Sequence, residues 1–69
     1  MNLTKKEYTT KAYSALMREM FPGVEGFTRQ NIIMSIRLGK IEARRDENTN
    51  IYLIPVNEVK RLIATYKAK

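Results

Sequence analysis

Two breaks decide what this chain can become. Phe21-Pro22-Gly23 and Gly39 interrupt stretches of helical hydrophobic spacing, because proline cannot continue a helix and glycine frees the backbone. The pieces between the breaks are too short to bury cores of their own. In a chain of 69 residues they must share one, so a single domain over residues 1–69 is expected. That core has no staple. The sequence holds no cysteine and no histidine, which excludes a disulfide and any thiolate or imidazole metal site. Hydrophobic residues at 43% and charged residues at 29% are a globular balance rather than a disordered one.

Caps and periodicity divide the chain further. Thr4 followed by Glu7 has the spacing of a capping box, with Leu3 and Tyr8 as a hydrophobic staple. A first helix from Thr4 to Met20 is therefore expected, with Tyr8, Ala12, Ala15, Leu16 and Met20 as its apolar stripe. Thr9 is a rival start with Tyr8 and Tyr13 as its staple, but no acidic residue completes its box. After the Pro22–Phe27 turn, Thr28 caps a second helix that reaches Leu38 and stops at Gly39. Ile32, Ser35 and Ile36 are expected to face inward on it. Lys40–Arg45 then alternates, Asp46–Asn50 is a polar turn cluster, and Ile51–Ile54 resumes with β-branched and aromatic residues until Pro55. That pattern predicts a β-hairpin. Asn57 is placed to cap a last helix, on which Val59, Leu62, Ile63 and Tyr66 follow the i, i+3, i+4, i+7 rule. The expected class is α+β and mostly helical. Helix, turn, helix, hairpin and helix in that order make a winged helix-turn-helix.

Catalysis finds little support. A cysteine nucleophile and a Ser–His–Asp triad are excluded by composition. The seven carboxylates are scattered, and the adjacent pair Asp46-Glu47 falls in a wet loop tip, whereas paired acids need a recessed site that separates their pKa values. Asp46-x-Asn48-x-Asn50 imitates the opening of a calcium loop, but Ile51 stands where glycine is needed and Asn57 where a bidentate glutamate is needed. No glycine-rich phosphate loop is present. A non-enzymatic protein is expected, with no cofactor, no metal and no small-molecule substrate. The start of the chain has basic residues but no apolar run after them, and Ile32-Ile33-Met34 is far too short to span a bilayer. A cytoplasmic, nucleoid-associated setting away from membranes is the expectation.

Charge points to a partner. Thirteen Lys and Arg against seven Asp and Glu leave a net +6, and so strong an excess in a short chain suits a polyanion. Between Thr28 and Arg45, five basic residues (Arg29, Arg37, Lys40, Arg44 and Arg45) meet one acid, Glu42. On the second helix Thr28, Arg29, Gln30, Ile33, Met34 and Arg37 form the outward face. Arginine can pair bidentately with guanine, glutamine with adenine, and apolar tips with the thymine methyl, so this is a usable face for the major groove of double-stranded DNA. Lys40, Arg44, Arg45, Asn48 and Asn50 flank or occupy the hairpin, where arginine suits the negative potential of a narrow minor groove and polar side chains suit phosphates. Lys5, Lys6 and Lys11 are candidates for at most phosphate contact. The alternative is surface charge that solubilises the chain and keeps a hairpin edge from pairing. Tyr8, Tyr13 and Tyr66 are expected in or beside the core, and Tyr52 against a helix.

These residues also resemble a family. Leu3-Thr4-x-x-Glu7-Tyr8, the helix from Thr28-Arg29 to Ile36-Arg37-x-Gly39-Lys40-Ile41, and Tyr52-x-Ile54-Pro55-x-Asn57-Glu58-Val59 are similar, in that order, to the phage excisionases, or recombination directionality factors, and to the related MerR-like winged helices. The resemblance implies a small basic DNA-bending protein of a phage or mobile element, acting at recombination attachment sites to direct a site-specific integrase toward excision. It also implies neighbouring copies of the protein side by side on the DNA. It puts DNA-reading roles on Arg29, Gln30, Ile33, Met34 and Arg37, and minor-groove or backbone roles on Arg44 and Arg45. A small winged-helix transcriptional repressor is the alternative, ordinarily a two-fold dimer on a pseudo-palindrome.

Overall fold

Thr9, not Thr4, starts the first helix. The computed structural model describes residues 6–68; in it Glu7–Thr9 is a strand, β1, and α1 runs Thr10–Met20. The Thr9 hydroxyl accepts a hydrogen bond from the Ala12 N–H at 3.1 Å, satisfying one of the donors that a first turn leaves without a helical partner. The helix expected across Glu7–Thr9 is corrected to a strand; Leu3, Thr4 and Lys5 lie outside the described residues. The physical reason is pairing. Tyr8 stands opposite Ile54 in an antiparallel ladder, and the Glu7 carboxylate is taken by Arg44 instead of serving a cap.

The buried face of α1 also differs from the expected stripe. Thr10, Tyr13, Ser14 and Met17 are its buried residues, while Ala15 of the expected stripe is exposed and Ala12, Leu16 and Met20 are half-buried. Two polar residues on the core side disguise that stripe in the sequence. Ser14 is accommodated because its hydroxyl donates to the Phe27 carbonyl.

The second helix, α2, runs Arg29–Arg37 between the expected signals. The Thr28 hydroxyl accepts from the Asn31 N–H at 3.2 Å. At the other end Gly39 has φ 78°, and its N–H reaches the Ile36 carbonyl at 3.1 Å while the Lys40 N–H reaches the Ser35 carbonyl at 2.9 Å. Those two bonds make a Schellman motif, whose left-handed residue is cheapest as glycine. Ile32 is buried and Ser35 and Ile36 are half-buried, on the expected inward side.

The hairpin is shorter than its alternation suggests. Strand β2 is Arg44–Arg45 and β3 is Tyr52–Pro55, with Ile51 outside the ladder and exposed. Backbone donors before β2 are already used. The Lys40 and Ile41 N–H groups bond to the Ser35 carbonyl, and the Glu42 N–H bonds to the Glu58 carboxylate. The three strands form an antiparallel sheet in the order β1-β3-β2. Strand β3 passes directly into α3, Val56–Lys67. Pro55 is its cap residue and contributes no side-chain bond, so Asn57 is not the cap; the Val56 N–H is satisfied by the Lys6 carbonyl beside β1, at 2.9 Å.

Among the described residues, three helices and a three-stranded antiparallel sheet thus make a helix-rich α+β arrangement. Tyr13 and Met17 of α1, Ile32 of α2, Ile54 of β3 and Val59 and Ile63 of α3 meet in its core. Tyr8 joins them, and Tyr66 stands at the rim in a ring cluster with Phe21 and Phe27, its centroid 5.0 Å from that of Phe27. No helix among the described residues is long and apolar enough to cross a membrane.

Candidate nucleic-acid interface

Strand parity separates two arginines that are neighbours in sequence. Residues opposite each other in an antiparallel pair share a face, and successive residues alternate. Arg45 is opposite Tyr52 and Tyr8 is opposite Ile54, so Arg45 lies on the face that buries Tyr8 and Ile54. Arg44 is opposite Leu53, on the other face with Glu7. There the Arg44 guanidinium donates twice to the Glu7 carboxylate, at 2.7 and 3.0 Å. That pairing holds the Glu7 carboxyl below its ordinary value and raises Arg44 above its own.

Arg45 instead faces a groove of about 490 Å³ between α2, the hairpin and the start of α1. From α2 it receives Arg29, Ile33 and Arg37, one per turn; from α1 it receives Lys11; from the hairpin, Arg45, Asn50 and Tyr52. Among the described residues, four cations line it and no carboxylate does. The hairpin tip is built to present its part. The Asp46 carboxylate accepts the Asn48 N–H at 2.9 Å and the Asp46 carbonyl accepts the Asn50 N–H at 2.7 Å. Asn50 has φ 58°, a left-handed conformation that asparagine tolerates better than most residues. Its side-chain oxygen accepts from the Arg45 guanidinium at 2.9 Å, fixing that arginine at the groove edge.

Two shallower hollows continue the surface. Arg29, Gln30, Ile33, Met34 and Arg37 line one on the outer flank of α2, where Met34 is 52% exposed. Lys11, Arg18, Thr28 and Arg29 line another between α1 and the start of α2. Among the described residues, Lys11, Arg18, Arg29 and Arg37 make no ion pair.

The structure therefore brings Arg29, Ile33, Arg37, Arg45 and Asn50 together, with Gln30, Met34 and Thr28 on adjoining surface. Asn48 is exposed at the tip but does not line the groove. Lys40 belongs to a different cleft, with Glu42, Glu58 and Arg61. Lys6 is exposed before β1, and Lys5 lies outside the described residues. The expected set lacks Arg18; in it Lys11 is at most a phosphate contact and Tyr52 packs on a helix, whereas both line the groove. Lys11 and Arg18 are seven residues apart, so they fall two turns apart on a single exposed side of α1.

The cleft around Lys40 has its own logic. Glu58 is buried, and its carboxylate accepts from the Arg61 guanidinium at 2.6 and 2.7 Å and from the Glu42 N–H at 2.7 Å. The Arg61 bonds chiefly, then the Glu42 N–H, hold its carboxyl below the ordinary value against the opposing effect of burial. This latch fastens the α2–β2 connection to α3. No group of three or more metal-ligating side chains occurs among the described residues. Comparison with family models, with curated proteins and with solved structures gives no match for this chain.

Proposed function

We propose that this protein is a winged helix-turn-helix that binds duplex DNA, with α2 in the major groove and the β2–β3 tip over the adjacent minor groove. One sugar–phosphate strand then passes through the cleft between them. The observation that carries this reading is the lining of that cleft, with Lys11, Arg29, Arg37 and Arg45 present and no acid among the described residues. A DNA strand presents a negative charge about every 3.4 Å, so an open groove with four unopposed cations suits it better than it suits a small neutral ligand. The major groove, about 12 Å wide, admits a helix whose outer flank carries Arg29, Gln30, Ile33 and Met34. The narrower biological role we propose is that of an excisionase-like architectural factor, which bends DNA at recombination attachment sites so that an integrase excises. That part rests on the resemblance of the Thr28–Ile41 and Tyr52–Val59 segments.

The test is selection from a random duplex pool at near-physiological salt, with footprints and bending assays on the winners. Directly repeated short sites with a bend between them support the architectural role. A single inverted repeat supports a repressor instead. On unselected duplex, five cations (Lys11, Arg18, Arg29, Arg37 and Arg45) meeting phosphates give a slope of log K against log salt of roughly −4 to −5. No retention of duplex even at low salt refutes DNA binding.

A further inference from the structure

We infer that α2 reads a short site in which two guanines lie three to four base-pair steps apart with thymine between them, through the ladder Arg29–Ile33–Arg37. This deepens the duplex-DNA reading above and rests on it. The groove facing the hairpin and the hollow on the outer flank of α2 share three α2 residues, and they are Arg29, Ile33 and Arg37. Residues that line both sides of a helix stand on its crest. Gln30 and Met34 line only the outer hollow and so stand beside the crest.

The spacing of the crest residues sets the spacing of the site. Arg29 and Arg37 are eight residues apart, which is about 12 Å along a helix axis. Stacked bases repeat about every 3.4 Å along a strand, so the two guanidinium groups reach positions roughly three to four steps apart. Each is available for a bidentate bond, since neither makes an ion pair among the described residues, whereas Arg44 and Arg61 are committed to Glu7 and Glu58. A fork of two parallel donors fits the O6 and N7 acceptors of guanine. Between them Ile33 presents only carbon and is half-buried, so it stays fixed at the crest. Against the amino groups of adenine or cytosine it would leave a desolvated donor unpaired. Against thymine it meets a methyl group.

The decisive probe is deoxyuridine, which keeps the base pairing of thymine and removes only the methyl. Selected duplexes are expected to carry the two guanines at the stated spacing. Replacing the intervening thymine by deoxyuridine should weaken binding about fourfold, the value of one buried methyl. Ile33→Ala should bind the two duplexes equally, with its fold checked by circular dichroism and Ile33→Val as the milder companion. Arg37→Lys, which keeps the charge and loses the fork, should lose about tenfold on the selected site and little on unselected DNA. Sites lacking the guanine spacing, indifference to the methyl in the wild type, or an equal Arg37→Lys loss on both DNAs overturns the ladder while duplex binding stands. Failure to retain any duplex overturns the ladder and the DNA reading together.

Discussion

Glu58 is the buried charge that fixes the connection between α2 and the hairpin, so its removal tests the architecture of the interface without touching it. Glu58→Ala deletes three bonds, two from Arg61 and one from the Glu42 N–H. The Arg61 side chain is 55% exposed, so water takes over its donors, and that pair contributes little. The part-buried Glu42 N–H loses its acceptor, at roughly 1–2 kcal/mol. The loss is therefore about 1–2 kcal/mol, in a domain whose size supports only about 3–5. At roughly 4–8 °C per kcal/mol, the melting temperature should fall by about 5–15 °C in far-UV circular dichroism at pH 7. The pH dependence supplies a second readout. Because the folded carboxyl lies below its ordinary 4.5, the stabilisation is fully present above that pH and is lost as the pH falls through the lowered value. Wild type should therefore destabilise as the pH falls below about 4.5, and Glu58→Ala should lose the Glu58 share of that change and keep the share of Glu7, whose carboxyl Arg44 also holds low. Arg61→Ala should move the acid loss to higher pH, since the largest influence holding the carboxyl down is gone. A variant Glu58→Ala that melts within about 3 °C of wild type, or retains the full acid dependence, refutes the latch.

Two further outcomes follow from the positions described. Arg45→Ala should weaken duplex binding about five- to tenfold in fluorescence anisotropy while Arg44→Ala stays within about twofold, the scale of one phosphate contact against a charge already neutralised; equal losses would show that strand parity does not govern this hairpin. Thr9→Ala should cost about 1 kcal/mol in urea unfolding through loss of the α1 cap, and an unchanged midpoint would mean that α1 takes its first turn elsewhere.

The parts of the fold legible in sequence are those whose causes are local. Thr28, Pro22 and Gly39 each act on the backbone within a few residues, so α2 and its ends follow from the residues alone. Strand β1 has no such cause. Glu7–Thr9 is extended because β3 lies beside it, and the pairing partner is 46 positions away for Tyr8. The same distance effect hides the α1 face, since the core position of Ser14 depends on the Phe27 carbonyl and not on hydrophobicity. Within the site, Arg29, Ile33 and Arg37 are visible from helical period. The separation of Arg44 from Arg45 was available too. Ile41, Ala43 and Arg45 share one parity, and Ile41 and Ala43 are the apolar members of the segment, which assigns Arg45 to the inward side. Which acid would meet Arg44 required the sheet order.

That placement of acids also separates the two explanations of a net +6. Charge kept only for solubility is best interspersed, with both signs mixed over the surface. Here Glu7 and Glu58 are consumed by Arg44 and Arg61 away from the groove, and Glu42 shares the cleft of Arg61. Asp46, at the base of the hairpin turn, spends its carboxylate on the Asn48 N–H, and Glu47 beside it is exposed and does not line the groove. What remains along the groove is cation, amide, hydroxyl and apolar surface. Like charges gathered on one face repel one another, and a domain with so small a stability margin tolerates that repulsion at a cost to folding. An anionic partner removes that cost on binding. Under the proposed DNA reading, the sheet parity that turns Arg45 toward α2 and the turn that holds it to Asn50 belong to the binding surface rather than to a dispersed solubilising charge.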